Sequence, residues 1–312
     1  MMKHPVPSYP FPNYFRAACR LAFLLFLAGW VGGCEEVVEL ETPEEPPRLV
    51  VGGLLRVDME EAFIPVRIRL TETSGFFGSR PVTRADAAII TVNRYDGETL
   101  VETFNSNLAE EAPGTGIYIP DPDALFDQRI PTIFLNEEVQ FILQVRHQGR
   151  QYLAETWYQP APPIDFLLQG NRTLDGGDET EIIVSFTDPA ERENYYLFEF
   201  GEARYLVTED TFYQGQFFQF SYFYEDPLPA GTELEVHLMG ADQQFYNYMG
   251  LLIDQSDLTG PFQAPAATVR GNVLDATDLD NQDRFDNTDR PDIFPLGYFA
   301  VVQEHTRTLT IR

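Results

Sequence analysis

Short apolar or alternating segments, separated by turn residues, follow one another from Arg48 onward. The clearest runs from Phe63 to Leu70, in which every second residue is aliphatic. An alternation of period two places these side chains on one face of a half-buried strand. The same reasoning predicts seven strands in the first half of the chain, at residues 49–55, 63–70, 87–95, 100–104, 117–119, 139–145 and 152–157.

The spacing of these segments predicts the fold of the first half. Asp96-Gly97 and Gln148-Gly149 are turn pairs of the kind that close β-hairpins. Short strands at regular turn spacing are typical of an immunoglobulin-like β-sandwich, which we expect over residues 48–159. Prolines at positions 160, 162 and 163 then interrupt the pattern and mark a domain boundary.

Residues 164–312 are predicted to form a second β-rich domain. It begins at residues 164–166, and its expected strands lie at residues 181–186, 195–200, 204–207, 217–224, 233–239, 267–269, 296–302 and 307–311. A single helix is expected at residues 242–255, where Asp242 is a suitable N-cap and Phe245, Met249 and Leu252 recur at helical spacing. The predicted fold class is therefore mainly all-β, with two β-sandwich domains and one short helix in the second.

The first 33 residues are typical of an export leader. Lys3, Arg16 and Arg20 precede an apolar run without any acidic residue. That run of about 11 residues is shorter than the roughly 20 that a spanning helix needs, as in a signal peptide. Small residues then lead to Cys34, an order that resembles a bacterial lipoprotein signal. The resemblance implies cleavage after residue 33 and diacylation of Cys34; the alternative is an ordinary signal peptide with an incidental cysteine.

Residues 34–47 are predicted to be an extended, solvated tether. Residues 35–47 hold six glutamates and three prolines, and both like charges and proline oppose regular structure. The start Cys34-Glu35-Glu36 resembles the acidic signal with which some Bacteroidota-type lipoproteins are moved to the cell surface. We therefore expect a protein held at the outer membrane by lipid and exposed at the cell surface, with a periplasm-facing location as the alternative.

The exported part is strongly acidic. Removing the leader takes away three of the 21 basic residues and none of the 49 acidic ones. One of the three is Lys3, the only lysine of the sequence. Such a surface repels nucleic acid and bare anionic lipid, so neither is expected as a partner. Without lysine, the chain lacks the ammonium group that a P-loop or a Schiff base needs. Adaptation to high salt and attraction of cations or basic partners both explain this acidity.

Signals for catalysis are weak. Three histidines remain after the leader, His147, His237 and His305, each isolated in a strand-like segment. Neither an HExxH motif nor a G-x-S-x-G nucleophile elbow occurs in the sequence. Cleavage and acylation leave no free thiol for cysteine catalysis. We predict no catalytic residue, and a surface-tethered hydrolase that uses acidic residues stays an alternative.

The predicted strand at residues 217–224 is aromatic on both faces. One face carries four rings, those of Phe218, Phe220, Tyr222 and Tyr224. Because a simple core needs one such face, the surplus can stack on a sugar or dock against a receptor. These four residues are therefore candidates for ligand or partner binding. Two packed β layers explain the same composition, because aromatic residues also favour strands.

Several short motifs make the chain similar to a known family. They are Leu49-Val50-Val51-Gly52-Gly53, Asp165, Tyr195-Tyr196-Leu197, Tyr246-Asn247-Tyr248, Pro261-Phe262-Gln263-Ala264-Pro265, Arg270-Gly271-Asn272-Val273 and Leu296-Gly297-Tyr298-Phe299. This set resembles the outer-membrane lipoproteins of domain of unknown function 4249, common in Bacteroidota-type bacteria. Genes for such proteins often lie beside TonB-dependent receptors, so the resemblance implies an accessory role in nutrient uptake. It supplies no catalytic residues.

An acidic insertion at residues 275–292 departs from the family pattern, which has a short connection there. Closely spaced aspartates on a flexible loop can supply the roughly six to eight oxygen ligands that calcium takes. The candidate ligands are Asp275, Asp278, Asp280, Asp283 and Asp286. The segment lacks the turn glycine and the bidentate acid of an EF-hand loop, so a solvated acidic insertion is the alternative.

Together these features predict a lipid-anchored binding or accessory module that acts with a TonB-dependent outer-membrane receptor. Tethering would raise the local concentration of its site at the mouth of the transporter. Calcium is the one candidate cofactor. A surface-tethered hydrolase and a purely structural envelope protein are the alternative functions.

Overall fold

The computed structural model describes residues 46–74, 83–136, 138–174, 176–201, 203–256, 268–277, 287 and 294–312. All of these residues belong to the unit Pro46–Arg312. The leader, Cys34, nearly all of the tether and most of the acidic insertion lie outside the described residues. Within the described part, no helix combines the length and the apolarity that crossing a membrane requires.

The secondary structure of the described residues is almost entirely β. The strands are β1 (Leu49–Val57), β2 (Ile68–Glu72), β3 (Ala87–Asp96), β4 (Thr99–Glu110), β5 (Ile117–Pro120), β6 (Glu138–His147), β7 (Arg150–Trp157), β8 (Ile164–Gln169), β9 (Thr180–Thr187), β10 (Tyr195–Glu199), β11 (Tyr205–Glu209), β12 (Phe217–Tyr224), β13 (Glu233–Ala241), β14 (Val273–Asp275) and β15 (Leu296–Thr310). A 3-10 turn, Thr132–Asn136, precedes β6, and helix α1 (Gln243–Ser256) follows β13. This sandwich-like architecture, with one α-helix among the described residues, confirms the predicted fold class.

The strands form a large sheet and a small one. The large sheet has the order β11-β10-β13-β15-β1-β2-β5-β4-β3-β6-β7-β14, and the small sheet has the order β12-β9-β8. Strand β15 joins the two halves of the large sheet. Its residues 296–303 pair in parallel with β1, and its residues 304–310 pair antiparallel with β13. The predicted domain boundary at residues 160–163 stays a prediction. The last strand pairs with strands from both sides of that boundary, β1 before it and β13 after it.

The interior consists of three apolar clusters. The first fills the N-terminal half and contains the four aliphatic residues of segment 63–70, all buried as their alternation predicts. The second lies between the small sheet and strands β10 and β13, where Phe186, Tyr196 and Phe198 are fully buried. The third lies beneath α1 and contains Leu197 and Met239. Strands β10 and β13 therefore form a middle layer with apolar side chains on both faces.

Strand β15 is also buried on both faces, over residues 298–302. Phe299 and Val301 pack in the first cluster, whereas Tyr298, Ala300 and Val302 pack in the third. A strand that is covered on both faces carries a continuous apolar run instead of an alternation. This accounts for the uninterrupted apolar sequence at the start of β15.

Several details of the predicted strands were wrong. Of the predicted strand 63–70, residues 64–67 lie in no strand, and β2 begins only at Ile68. The sequence predicts separate strands at residues 296–302 and 307–311, but β15 continues through the polar residues Glu304, His305 and Thr306. These residues break the apolar pattern, yet their backbone lies in the ladder with β13, which decides their conformation. Thr268 and Val269 of the predicted strand 267–269 form no strand, and the three-residue strand β14 was not predicted.

Helix α1 begins where the sequence predicts. The Asp242 carboxylate accepts a hydrogen bond from the Phe245 amide at 2.7 Å, and the Asp242 carbonyl accepts one from the Tyr246 amide at 2.9 Å. These are the contacts of an N-cap residue. The apolar side of the helix rests on the middle layer, with Phe245 buried in the third cluster.

The side chain of Asn272 holds the edge of β15 that β1 does not reach. Asn272 Oδ1 accepts from the Phe299 amide at 2.9 Å, and Asn272 Nδ2 donates to the carbonyls of Phe299 and Glu155 at 2.7 and 2.9 Å. One amide group thus takes the place of a neighbouring strand. A Cβ at Gly271 would lie 1.6 Å from the Gly297 carbonyl oxygen, so this close backbone approach requires glycine.

We predict that Asn272→Ala lowers the free energy of unfolding by about 3 kcal/mol, because it leaves the backbone groups of Phe299 without partners. Asn93→Ala is a suitable control, since Asn93 bonds only to the side chains of Gln140 and Thr103 on the sheet surface. Its expected loss is below about 1 kcal/mol. Urea unfolding of both variants measures the difference, and equal losses would contradict this role of Asn272.

Candidate functional site

The four aromatic residues predicted as a binding face lie on the inner side of β12. Their rings pack against rings of the second cluster. The ring centroids are 5.9 Å apart for Phe218 and Phe186, 5.1 Å for Phe220 and Phe198, and 3.9 Å for Tyr222 and Phe200. The Tyr224 hydroxyl donates to the Phe200 carbonyl. These contacts form the two packed layers that the sequence also allows, and a binding role for the four residues stays a prediction.

Of the candidate calcium ligands, only Asp275 lies in the described part of the chain. Its carboxylate is buried. It accepts hydrogen bonds from Arg150 Nε at 2.6 Å and from the Thr277 amide at 3.0 Å. The side chain of Asn287 accepts a hydrogen bond from the Asp275 amide at 2.7 Å and donates one to the Asp275 carbonyl at 3.0 Å. Among the described residues, no group of three or more His, Cys, Asp or Glu side chains is placed to hold a metal. The calcium site, like lipidation of Cys34, stays a prediction.

The three histidines lie in separate places. His147 is buried, with Nδ1 2.9 Å from the Arg84 carbonyl and Nε2 3.1 Å from Glu72 Oε1. His305 Nε2 lies 3.1 Å from the Ala161 carbonyl. His237 contacts Glu304, at 2.7 Å. His237 Nδ1 also lies 2.9 Å from Thr306 Oγ1, but this is the same nitrogen that contacts Glu304. Among the described residues, none of the three histidines therefore has a carboxylate on one ring nitrogen and a hydroxyl on the other, as a catalytic triad requires.

A cavity of about 550 Å³ opens on the helix-bearing face of the large sheet. Its residues are Val50 to Leu54 of β1, Arg67, Arg69, Ile117, Tyr205, Phe245, Tyr248, Met249, Gly297 and Tyr298. We call it the glycine trough. Its volume falls within the range of roughly 300–1,000 Å³ that is usual for small-molecule sites. It is therefore a candidate for a ligand site.

The floor of the glycine trough is Gly52. Strand register places it directly between Tyr298 of β15 and Arg69 of β2. Because side chains of paired residues share a face, the missing side chain of Gly52 leaves a gap between the flanking two. A Cβ at Gly52 would have its nearest neighbours at 3.6 and 3.8 Å, both in Arg69, which is ordinary van der Waals contact, so the gap has room for at least a methyl group. The neighbouring Gly53 faces the opposite way, where a Cβ would lie 2.9 Å from Phe299 Cδ2.

One wall of the trough is aromatic. Helix α1 places Phe245 and Tyr248 against the ring of Tyr298, with centroids 4.9 and 4.8 Å apart. Tyr298 is buried, and its hydroxyl makes no hydrogen bond of good geometry within the described residues. Burial raises the pKa of Tyr298, and the nearby carboxylate of Asp242 raises it further. The hydroxyl therefore keeps its proton at neutral pH.

The opposite wall carries two arginines. Arg67 and Arg69 alternate with the buried Ile68 and Leu70, so they project from the other face of the sheet, into the trough. Arg67 pairs with Glu111 at 2.7 Å, and both side chains are about half exposed. Arg69 forms no ion pair with any described residue. Within the described part of the chain it is an unpaired cation, although the formal charge of the chain is −28.

A partly buried charge network lies on the same face, beyond the trough. Arg56 donates to Glu199 at 2.6 Å and to Glu304 at 2.9 Å, and His237 Nδ1 lies 2.7 Å from Glu304. These residues come from β1, β10, β15 and β13, so the network ties together the strands that meet at β15. Burial opposes the ionisation of Glu304, but the hydrogen bonds from His237 and Arg56 outweigh it and lower its pKa to about 2.

The trough was not predicted from the sequence, although one signal was present. Glycine inside an apolar strand pattern often marks a close approach of a ligand or another backbone. Gly52 and Gly53 lie inside β1 in this way. Three motifs noted for family resemblance, those at residues 49–53, 246–248 and 296–299, meet at this cavity. The sequence cannot show which of the two glycines faces it.

The described residues thus form a mainly β scaffold with an open, glycine-floored cavity. The chain belongs to the family described as Domain of unknown function (DUF4249), which matches residues 35–282. Family membership is therefore confirmed, and the matched range begins directly after Cys34. It ends before Leu296, so the last of the motifs noted above lies beyond it.

Other comparisons add little. No curated protein matches the chain. Among solved structures, the crystal structure of red sea bream transglutaminase is similar with a TM-score of 0.22 and 9% identity, over 85% of this chain and 31% of that chain. This chain covers less than a third of that protein, and so weak a likeness carries no argument about fold or activity.

We predict that Glu304→Gln lowers the free energy of unfolding at neutral pH by about 2 kcal/mol, because Arg56 and His237 lose a charged partner. The pKa of Glu304 in the folded protein, about 2, is below the 4.5 of free glutamate. Its stabilisation is therefore complete above pH 4.5 and declines as the pH falls towards 2. The deficit of the variant should shrink over that interval.

Denaturant unfolding at several pH values measures this effect. Glu102→Gln is the control, since Glu102 pairs with Arg94 but is 48% exposed, against 16% for Glu304. We expect this variant to lower the free energy of unfolding by less than about 1 kcal/mol. A deficit of Glu304→Gln that stays constant from neutral pH to pH 2 would show that ionisation of Glu304 does not stabilise the fold.

Proposed function

We propose that this protein is a lipid-anchored binding module of the cell envelope that holds a small ligand in the glycine trough and assists a TonB-dependent outer-membrane receptor in nutrient uptake. The observation that supports a binding role is the trough, since an open cavity of ligand size with apolar walls and few polar groups is the usual form of a small-molecule site. The leader, Cys34 and the acidic tether support attachment to the outer membrane, exposed at the cell surface.

The proposed mechanism is an effect of mass action. A lipid at Cys34 and a flexible tether before β1 would keep the trough within a short distance of the membrane. The effective concentration of a tethered site near a receptor reaches roughly the millimolar range for short flexible linkers. A ligand released from the trough would then meet the receptor before it diffuses away. The negative charge of the chain would keep it from adhering to anionic lipid.

We predict that Cys34→Ser abolishes lipidation and releases the protein from the membrane fraction. Serine lacks the thiol that the acyl chain requires. The sequence supplies a matched control, because Cys19→Ser changes the only other cysteine, which lies within the predicted leader. Intact-mass spectrometry and incorporation of labelled palmitate measure the outcome in both variants. Retention of lipid by Cys34→Ser, or an equal loss in Cys19→Ser, would refute the anchor.

Partner and location require separate tests. Affinity isolation of the lipidated protein from detergent extracts should recover a TonB-dependent receptor, and Cys34→Ser should recover much less. Protease added to intact cells should cleave the protein if it faces outward. Turnover of a glycan or peptide pool by the purified protein would instead favour the hydrolase. Absence of both a partner and turnover would favour a structural envelope protein.

A further inference from the structure

We infer that the glycine trough is selective for a small organic monoanion, a carboxylate attached to a planar apolar body, and that Arg69 is its charge partner. This inference rests on the proposed binding function and names the class of ligand. Three independent features of the trough carry it: the open floor at Gly52, the aromatic wall formed by α1 and Tyr298, and the unequal state of the two arginines.

The floor provides a flat space beside a cation. Gly52 lies between Arg69 and Tyr298 in the strand register, and a Cβ there would keep ordinary contact distances of 3.6 Å or more. A planar group that lies on Gly52 would thus contact backbone below it, Tyr298 on one side and the stem of Arg69 on the other. No other residue type leaves this surface uncovered.

The wall favours an apolar or aromatic body. Phe245, Tyr248 and Tyr298 form a continuous set of rings, and Met249 and Leu54 extend the apolar surface. Aromatic rings contact planar groups in offset or edge-to-face geometry, with a gain of about 1 kcal/mol beyond simple burial. Methionine adapts its shape to irregular ligands. A purely polar ligand would leave this wall without contacts.

The two arginines differ in their availability. Glu111 neutralises Arg67, whereas Arg69 has no carboxylate partner among the described residues. Ion pairs occupy Arg56, Arg94, Arg129, Arg150 and Arg172 as well. In a chain with 49 acidic residues, an arginine that is left unpaired beside a cavity is available for an external anion. Its planar guanidinium matches a carboxylate with two parallel hydrogen bonds.

The overall charge favours a monoanion over a dianion. With a formal charge of −28, the whole chain repels anions, and this cost doubles for a doubly charged phosphate. One free guanidinium balances one negative charge. A carboxylate therefore fits both the local and the overall electrostatics, and the neutral analogue of the same ligand should lack the contribution of Arg69.

The test is isothermal titration of the full exported chain in lipid nanodiscs with two pairs of probes: 3-phenylpropionate and its amide, and indole-3-acetate and its amide. We expect each acid to bind at least about tenfold more tightly than its amide, because a charge-assisted hydrogen bond contributes about 1.5–3 kcal/mol. Added salt should weaken binding of the acids and leave binding of the amides unchanged. Empty nanodiscs give the background for partitioning into lipid.

Variants at three positions assign the effect. Arg69→Ala should reduce binding of the acids to that of the amides, and Arg69→Lys should restore part of the difference. Gly52→Leu should abolish binding of acids and amides alike by filling the floor, and Gly52→Ala gives a milder form if leucine disturbs folding. Arg146→Ala is the control, because Arg146 is an exposed arginine of β6, remote from the trough in the strand order.

The outcomes separate this inference from the proposed function. If acids and amides bind equally well and Gly52→Leu abolishes both, the trough is a binding site but its selectivity for anions is refuted. If Arg146→Ala weakens binding of the acids as much as Arg69→Ala does, the effect comes from the net charge of the protein, and the specific role of Arg69 is refuted. If neither acid binds at millimolar concentration, the inference falls, whereas membrane attachment and receptor association are decided by the experiments on Cys34.

Discussion

The burial of β15 on both faces, together with its pairing on both edges, is the constraint on which the rest of the structure depends. Its first half completes the ladder of β1, and its second half completes that of β13. The same few residues supply side chains to the first and third apolar clusters. Asn272 bonds the edge that no strand covers. Removal of this one strand would open two ladders and two clusters together.

The helix face of the sheet shows how a chain with so many carboxylates stays folded. Arginine is placed where carboxylates crowd: Arg56 lies between Glu199 and Glu304, on the part of this face that α1 does not cover. Where the apolar contacts beneath α1 end, this network of ion pairs connects the strands instead. The glycine trough lies between this network and the helix-covered cluster, at the place where neither packing nor ion pairs fill the surface. The site is thus the part of this face that stability does not use.

The sequence predicted well what depends on local pattern. The alternation at residues 64–70 gave the buried face of that segment, and Asp242 marked the start of α1. It failed where long-range pairing decides. Glu304 and Thr306 look like a break between two strands, yet β13 holds them in one. The trough was out of reach for the same reason, because its parts come from β1, β2, α1 and β15, and only the register of the sheet brings Gly52, Arg69 and Tyr298 side by side.

The position of β15 at the end of the chain also has a consequence for synthesis. Strand β1 lies near the start of the described chain and finds its parallel partner only after almost all other residues have been made. Contacts so distant in sequence form late, since the chain must close a very long loop before the pairing is rewarded. Until then, the edges of β1 and β13 are both unpaired, and open edges of this kind recruit foreign strands. A ribosome that stops early would therefore produce an adhesive fragment, whereas a complete chain closes both edges in a single step.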